Sequence, residues 1–277
     1  MEYKRVLTIQ DISCVGQCSM TVALPVLSAC GQETCILPSA VLSTHTGGFS
    51  MPAVQNLMEL LPRVQSHWQQ EGLTFDAVYT GYLGSTGLIR CVEEILTSVL
   101  APGGKIIVDP AMADHGKLYK GFDREYVEAM AGLCKKADVV IPNLTEACMM
   151  TGTEYREIYD EVYITDVVGK LHAMGIPCVV LTGVSYRSNE TGVLISTREG
   201  VHTYLHPKIA RGYHGTGDLF AAAFVGSWMG GKPMATAAQI AADFVCEAIR
   251  NTVGDEKHWY GVKFETALPY LIKQLYA

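Results

Sequence analysis

The amino-acid sequence predicts an α/β protein with a mostly parallel, helix-covered sheet. Short β-like runs alternate with longer segments of helical periodicity along the whole chain, which is typical of βαβ units. The chain has 277 residues, 49% hydrophobic and 18% charged, and is long enough to bury a large core. No Pro- or Ser-rich linker, repeat or low-complexity segment divides it. We therefore expect a single domain over residues 1–277.

The predicted strands are short, and most of the predicted helices exceed eight residues. Strands are expected at Val6–Gln10, Thr34–Leu37, Ala77–Thr80, Lys105–Val108, Val139–Ile141 and Cys178–Leu181, followed by a hairpin of Gly192–Ile195 and Val201–Tyr204 across the turn 198–200. Helices are expected at Met20–Ala29, Val54–Trp68, Leu88–Leu100, Glu125–Lys136, Thr145–Thr151, Asp166–Met174, Asp218–Met229, Met234–Asn251 and Phe264–Tyr276. Gly31 follows the first helix where a glycine commonly ends one.

Charge and cysteine content exclude several classes of function. The net charge is −7 and Lys and Arg form no run, so nucleic acid is not an expected partner. The nine cysteines include no Cys-x-x-Cys pair, which indicates reduced, mostly buried thiols. No signal peptide is visible, and the apolar stretches are interrupted well short of a membrane span. We expect a cytoplasmic protein without a membrane partner.

Chemically useful residues follow one predicted strand after another. They are Asp11, 43–48, 80–82, Asp109 with Pro110, 142–146, and Thr182 with Gly183. Ligands of parallel α/β sheets bind at the carboxyl ends of the strands. Each group could serve turn chemistry alone, but six of them at one rim favour a ligand site there.

The segment from His214 to Phe220 is the most informative part of the sequence. It reads His-Gly-Thr-Gly-Asp-Leu-Phe and opens a predicted helix. The N–H groups of such a loop and the positive end of the helix attract an anion, and Asp218 in the first turn could act as a base. Phosphoryl transfer to an alcohol needs both features. A glycine-rich loop with an Asp helix cap is an equally good interpretation of this segment alone.

Asn143 and Glu146 allow two interpretations. Their Asn-x-x-Glu spacing beyond a strand suits Mg²⁺, which is held by few protein groups and keeps several waters. The same spacing is that of a capping box at a helix start. Asp109 is either a turn residue or a second carboxylate near the metal.

Three widespread motifs are missing from the sequence. It has no Gly-x-x-x-x-Gly-Lys-Ser/Thr loop, no Gly-x-Gly-x-x-Gly after the first strand and no Gly-x-Ser-x-Gly elbow. A P-loop enzyme, a dinucleotide-binding fold and an α/β-hydrolase are therefore disfavoured.

Taken together, the motifs resemble the pyridoxal kinase group of the ribokinase-like superfamily. The resemblance is carried, in the family's order, by Leu7–Gln10, Ser43–Gly47, Thr80–Tyr82, Asp109 with Pro110, Asn143 with Glu146, and Gly215–Asp218. These matches cover nearly the whole chain, and their ordered combination is far more specific than the Gly-Thr-Gly-Asp motif alone. The resemblance implies a three-layer α/β/α sandwich with a mostly parallel central sheet.

The resemblance also implies an ATP-dependent kinase of a vitamin B6 hydroxymethyl group. Asp218 would be the base, and the N–H groups of Gly215, Thr216 and Gly217 would form an anion hole. The positions that would bind ATP are Asn143, Thr182 and Gly183, together with Asp114 and Tyr119 in a flap over the site. The positions that would bind the substrate are Asp11, Ser43, His45, Thr46, Tyr82 and Asp218. Glu146 and Asp109 would position Mg²⁺. A homodimer is implied, and activation by a monovalent cation such as K⁺ stays open.

Two departures from the family pattern leave the substrate open. Asp11 stands where pyridoxal kinases usually have Ser, which resembles hydroxymethylpyrimidine kinases of thiamine synthesis. Residues 15–17, Val-Gly-Gln, replace an aromatic-Gly-His segment. Against the pyrimidine kinase alternative, that branch often has Cys where this chain has Asp218. A catalytically silent vitamin-binding protein is a further alternative.

Overall fold

The α/β class is confirmed by the computed structural model, which describes residues 1–209 and 211–276. Its strands are β1 (Arg5–Ser13), β2 (Glu33–Leu42), β3 (Val54–Asn56), β4 (Phe75–Thr80), β5 (Leu100–Val108), β6 (Ala113–Asp114), β7 (Lys117–Leu118), β8 (Val139–Val140), β9 (Val179–Val184), β10 (Glu190–Thr197) and β11 (Gly200–Pro207). Its helices are α1 (Met20–Ala29), α2 (Leu61–Gln70), α3 (Thr86–Val99), α4 (Arg124–Cys134), α5 (Leu144–Thr151), α6 (Glu161–Ala173), α7 (Thr216–Met229), α8 (Met234–Arg250) and α9 (Leu268–Tyr276).

Nine strands form one central sheet in the order β3-β2-β1-β4-β5-β8-β9-β10-β11. The pairs from β2 to β9 are parallel, whereas β3, β10 and β11 add antiparallel edges. The chain winds outward from β1 in one direction to β2 and in the other to β4. This reversal creates the crevice in which open α/β sheets bind ligands.

Helices cover both faces of the sheet, which gives a three-layer α/β/α sandwich. One core lies between the sheet and α2–α6, and it contains Leu88, Val92 and Ile164. The other core lies between the sheet and α1, α7, α8 and α9. Helix α7 is buried along most of its length from Leu219 onward, so packing of the helix body fixes the position of its first turn.

The helix predicted at Val54–Trp68 is wrong in its first part. Val54 begins the edge strand β3 and pairs with Leu42, and the side chain of Asn56 accepts a hydrogen bond from the N–H of Met58 at 2.7 Å. Such a local bond favours a turn over a helix. Helix α2 starts only at Leu61, with Pro62 in its first turn, where proline is well tolerated.

Several further boundaries differ from the prediction: β2 extends to Leu42, β5 begins at Leu100 and α6 begins at Glu161. Strand β1 continues past Gln10 to Ser13, with a shift of register between Gln10 and Ile12, so Asp11 lies within the strand at an irregular position. The predicted last helix divides into a 3₁₀ turn, Phe264–Ala267, and α9.

None of the helices in the described ranges has the combination of length and apolarity that a bilayer crossing requires. All nine cysteines fall within those ranges, and none of them forms a disulfide.

Truncation of Phe224 in α7 should destabilise the fold strongly. Its ring is fully buried and lies 6.2 Å from the ring of Phe220, as measured between centroids. We expect Phe224→Ala to lower the free energy of unfolding by about 3–5 kcal/mol, because it leaves a cavity in a packed core. Urea denaturation would measure the loss. Val201→Ala, at a position that is 65% exposed, should change stability by less than about 0.5 kcal/mol; equal effects of the two substitutions would contradict the packing described.

Candidate active site

An open cavity of about 470 Å³ lies at the carboxyl ends of β5, β8 and β9 and extends onto the hairpin of β10 and β11. Its size is in the range of small-molecule sites. Carboxylates line one part of it, namely Asp109, Asp114, Glu146 and Asp218. Apolar side chains of β10 and α8 line another part, with the start of α7 between them.

The start of α7 presents unsatisfied N–H groups to this cavity. Gly215 is the N-cap residue and has no side chain that could cap the helix. The N–H groups of the first turn therefore lack the partner that Ser, Asp or Asn would supply. Gly215, Thr216 and Gly217 all line the cavity, so these uncapped donors lie where an anion in the cavity could reach them.

Gly215 is also the point at which α7 meets the β1–α1 loop. It has a φ of +79°, and a Cβ atom there would lie 1.7 Å from the carbonyl oxygen of Gln17. The positive φ and the lack of room for a Cβ atom each require glycine at this position. By contrast, a Cβ on Gly217 would meet no atom within 4 Å.

Asp218 lies in the first turn of α7 at the wall of the cavity. Its desolvated position raises its pKa to about 7; the N–H of Ser19 opposes this shift, and the negative charge of Asp11 adds to it. A carboxylate with this pKa is well matched to take a proton near neutral pH.

Asp109 and Glu146 form a second acidic pair near Asp218. Both side chains are buried. Burial and the charges of Glu146 and Asp218 raise the pKa of Asp109 well above its usual value. Burial raises the pKa of Glu146 to about 8, although backbone N–H groups oppose the shift. Repulsion between these carboxylates is reduced when a cation binds near them.

In the structure, Asn143 and Glu146 form the capping box at the start of α5 that their spacing allowed. The Asn143 side chain accepts from the N–H of Glu146 at 3.0 Å, and Glu146 accepts from the N–H of Asn143 at 2.8 Å. Glu146 also accepts from the N–H of Met112 at 3.1 Å. With the N–H of Ala113, three backbone donors hold this carboxylate, which has about four acceptor sites, so the capping box holds Glu146 at the cavity without excluding contact with a metal.

A short hairpin of β6 and β7 carries Asp114 and Tyr119 to the cavity. The sequence did not predict these strands from periodicity, because each has only two residues. The hairpin is fastened to α5, since the N–H of Gly116 donates to the hydroxyl of Thr145 at 3.0 Å. Tyr119 is 40% exposed and lies at the rim.

Thr182 and Gly183 lie inside β9 rather than after it. Thr182 pairs with Val193, and the register shifts beside Gly183, whose φ is +70°. Such an irregularity turns the local backbone away from regular pairing. Both residues line the cavity, between Asn143 and the β10–β11 hairpin.

Asp11 is the centre of a second group of residues, which adjoins Asp218 but does not line the cavity. It is buried, and its carboxylate accepts from the hydroxyl of Ser13 at 3.0 Å. Burial raises the pKa of Asp11, while hydrogen bonds from Ser19 and Ser13 oppose the shift. Burial, and then the charge of Asp11, raise the pKa of Tyr82, whose ring lies 5.5 Å from that of Phe122.

His45 is held by backbone groups on both sides of its ring. Its Nδ1 accepts from the N–H of Gly47 at 3.0 Å, and its Nε2 lies 2.7 Å from the carbonyl oxygen of Tyr260. A carbonyl cannot donate, so the proton is on Nε2 and the ring is neutral. Burial lowers the pKa of His45 accordingly. Both nitrogens are already engaged.

Ser43 and Thr46 belong to the same loop. The Ser43 hydroxyl accepts from the N–H of Ala53 at 3.0 Å and closes the base of the loop. The Thr46 side chain is exposed. The structure therefore gathers the predicted ATP, metal and catalytic positions in one cavity and the predicted substrate positions beside it, and the role of each residue stays a prediction.

Sequence reasoning missed the basic side chains of the cavity. Lys208, Arg211 and His206 line it, yet they are isolated in the sequence and form no motif. Ser19 was also missed, although it has a φ of +52° and contacts both Asp11 and Asp218. Proximity to the Gly-Thr-Gly-Asp segment was the only available signal for Arg211.

Comparison with known proteins gives a consistent result. The sequence model of the phosphomethylpyrimidine kinase family matches residues 26–262. A hydroxymethylpyrimidine/phosphomethylpyrimidine kinase of Haemophilus influenzae is 28% identical over 191 residues, 65% of this chain and 69% of that protein.

Solved structures share the fold over nearly the whole chain. The pyridoxal kinase of Lactobacillus plantarum is 34% identical, with a TM-score of 0.89 over 98% of this chain and 97% of that one. A putative phosphomethylpyrimidine kinase of Bacteroides thetaiotaomicron, solved with pyridoxal, is 33% identical, with a TM-score of 0.91 over 97% and 95%. The ribokinase-like fold and the resemblance to pyridoxal kinases are thereby confirmed.

The two glycines of the anion loop should respond differently to alanine. Gly215→Ala forces a Cβ onto the Gln17 carbonyl at a positive φ, so we expect a loss of more than about 2 kcal/mol of stability. Gly217→Ala meets open space and should retain a melting temperature within about 3 °C of the wild type. Thermal unfolding monitored by circular dichroism would compare the pair. Equal losses for both variants would contradict the tight contact at residue 215.

Proposed function

The chain belongs to the phosphomethylpyrimidine kinase family and is a phosphotransferase that acts on an alcohol group, and we propose that it transfers the γ-phosphoryl group of ATP to the 5′-hydroxymethyl group of a vitamin B6 vitamer. The observation that carries this proposal is Asp218. This carboxylate has a pKa of about 7 and lies in the same helical turn as a set of uncapped N–H groups. A base and an anion site in one turn meet the two requirements of the reaction.

In this proposal Asp218 removes the proton of the substrate hydroxyl as its oxygen attacks the γ-phosphorus. The bond to the oxygen between the β- and γ-phosphorus breaks, and ADP leaves with that electron pair. The N–H groups at residues 215–217 stabilise the charge on the transferring phosphoryl group. Because these donors are fixed by the buried helix α7, little reorganisation is needed during the reaction.

The nucleotide would occupy the cavity. From β5 to β10 the cavity crosses three strand spacings, or about 14 Å, which suits an extended nucleotide. Its apolar part would take the base, and its polar part the phosphates. Thr182, Gly183 and Asn143 lie between these parts, while Asp114 and Tyr119 would cover the phosphates from the hairpin.

Asp109 and Glu146 fit a Mg²⁺ ion that accompanies ATP. Both carboxylates are buried, burial raises the pKa of each, and the charge of Glu146 raises that of Asp109 further; they supply hard oxygen ligands. The described residues contain no group of three or more His, Cys, Asp or Glu side chains arranged to hold a metal alone, so phosphate oxygens and water would complete the coordination. When bound, Mg²⁺ would neutralise charge on the phosphates. The same charge balance suits a monovalent cation such as K⁺ as an activator.

The vitamin would bind beside Asp218, at the reversal of strand order between β1 and β4. Asp11 is available there to a ring nitrogen or ring hydroxyl, and Tyr82 offers a flat ring already packed against Phe122. Thr46 would contact the substrate with its exposed side chain. His45 would act mainly by fixing the loop, since both its nitrogens bond to backbone, and Ser43 would do so by closing the loop base.

A hydroxymethylpyrimidine kinase is the second candidate. It is favoured by Asp11, by the family match and by the relative from Haemophilus influenzae. The 34% identity to a pyridoxal kinase over nearly the full length of both chains, together with Asp218, supports the B6 proposal. An intact base and anion loop argue against a catalytically silent vitamin-binding protein.

We further propose that the chain acts as one domain and as a homodimer. The edge strand β3 leaves one side of its backbone unpaired in the described sheet. Four exposed apolar residues lie in or close to this strand in the sequence: Met51 and Val54, which are 88% and 59% exposed, and Met58 and Leu60. Surfaces of this kind commonly mark contacts between proteins.

The function is tested by assaying pyridoxal, pyridoxine, pyridoxamine and hydroxymethylpyrimidine side by side, with ATP and with or without Mg²⁺. We expect turnover of at least one B6 vitamer that requires Mg²⁺. Asp218→Asn should lower kcat by about 10²–10⁴-fold, since it removes the base, while vitamin binding is retained. Turnover confined to the pyrimidine would favour the second candidate, and vitamin binding without any turnover would favour the silent protein.

The pH dependence of the reaction should report the ionisation of Asp218. Its pKa is raised to about 7, and only the ionised form can accept a proton. We therefore expect kcat/KM to rise about tenfold per pH unit below pH 7 and to level off above it. Asp11→Asn should move this rise to lower pH, because the charge of Asp11 contributes to the raised pKa. A profile that is flat between pH 5.5 and 8 would contradict the role of Asp218.

A further inference from the structure

The cationic side chains of the cavity lie close together in the sequence. Lys208 and Arg211, on the connection from β11 to α7, both line the cavity, and so do the imidazoles of His206 and His214. The remaining charged groups of its lining are carboxylates, and the whole chain has a net charge of −7. An anionic ligand therefore meets favourable charge mainly along this connection.

Arg211 is held in an unusual way within this group. Its Cζ atom lies 5.1 Å from the centroid of the Tyr213 ring. Among the described residues, it has no carboxylate within the 4.0 Å of a salt bridge, and its charge does not contribute to the pKa of Asp109 or Asp218. The guanidinium is therefore placed by an aromatic ring and not by an ion pair.

Tyr213 provides a rigid base for this contact. It is only 8% exposed, and its carbonyl oxygen accepts from the hydroxyl of Thr216 at 3.2 Å. Thr216 is the first residue of α7, so the ring is tied to the anion loop. Its own hydroxyl is buried and finds no hydrogen-bond partner in the described part of the chain, which leaves stacking as the visible function of the ring.

We infer that Arg211, supported by Tyr213, binds the phosphate groups of the nucleotide and so sets the affinity of the cavity for di- and triphosphates. A guanidinium over an aromatic ring keeps its N–H groups free at the edge, where they can donate two bonds to phosphate oxygens. The contact is unavailable to Lys208, which is exposed and lacks a planar donor set. The inference rests on the proposed use of ATP, and it adds a residue that neither the sequence motifs nor the anion loop supplies.

Isothermal titration with ADP and with adenosine tests the inference without a phosphate acceptor. Arg211→Ala should weaken ADP binding by about 10–100-fold, which is the usual range for charge-assisted bonds to phosphate. Adenosine binding should change less than twofold, because adenosine has no phosphate. Arg198→Ala is the matched control: it removes the same charge at the exposed turn between β10 and β11, outside the cavity, and should bind ADP as the wild type does.

Conservative variants separate the phosphate contact from a merely structural role. Arg211→Lys should still lose several-fold in ADP affinity, because an ammonium neither stacks nor donates bidentately. Tyr213→Phe should bind ADP like the wild type, whereas Tyr213→Leu should weaken it about two- to five-fold. In kinetic assays, Arg211→Ala should raise KM for ATP but leave KM for the alcohol substrate unchanged.

The outcomes are distinguishable. ADP affinity in Arg211→Ala equal to that of Arg198→Ala would overturn the inference and leave the proposed kinase intact. Equal losses for ADP and adenosine would also overturn it, since they would indicate a damaged pocket. A wild-type protein that binds neither ATP nor ADP would contradict both the proposed function and the inference.

Discussion

The first turn of α7 can lie against the β1–α1 loop only because residue 215 has no side chain. Any Cβ there would overlap the carbonyl oxygen of Gln17, and the loop would have to move away. The contact joins two segments that are distant in the sequence. It brings the N–H of Ser19 to Asp218 and brings Asp11 within electrostatic reach of the same carboxylate. Both halves of the proposed site, for vitamin and for nucleotide, therefore depend on this one close approach.

The carboxylates gathered around that contact repel each other and are poorly solvated. The pKa values of Asp11, Asp109, Glu146 and Asp218 are all raised, with burial as the largest cause. A raised pKa means that the folded state binds protons more tightly than the unfolded state. These groups therefore destabilise the fold as pH rises from their unfolded values, near 4, towards 8. A bound cation would offset this repulsion, so the proposed Mg²⁺ gives a reason for so many buried carboxylates at one place. Arg211 stays outside the cluster, where it can attract phosphate without neutralising the base.

The sequence patterns predicted the helices and strands whose formation depends on residues close together in the chain. Helix α1 has the predicted bounds, Met20–Ala29, and the parallel sheet follows from the alternation of segments. The helix predicted from Val54 failed because apolar residues at an edge strand followed by a turn can imitate helical spacing. Asp11 was assigned to a position after its strand, since nothing local signals an irregular register. Arg211 was beyond prediction for a different reason: its partner is an aromatic ring two residues away, and only the folded connection brings the pair to the cavity.

Asp11 makes the substrate question a matter of hydrogen bonding rather than of shape. A carboxyl group with a raised pKa can accept from a protonated ring nitrogen when ionised, or donate to an unprotonated one when neutral. The hydroxyl of Ser13 already satisfies one of its oxygens, and the Ser19 hydroxyl also bonds to the carboxylate, so limited capacity remains for a ligand. A pyridine ring and a pyrimidine ring differ in the number and basicity of their nitrogens. Substrate choice should therefore follow the protonation state that the ring and Asp11 adopt together. A serine at this position would offer a donor at every pH and lose that dependence.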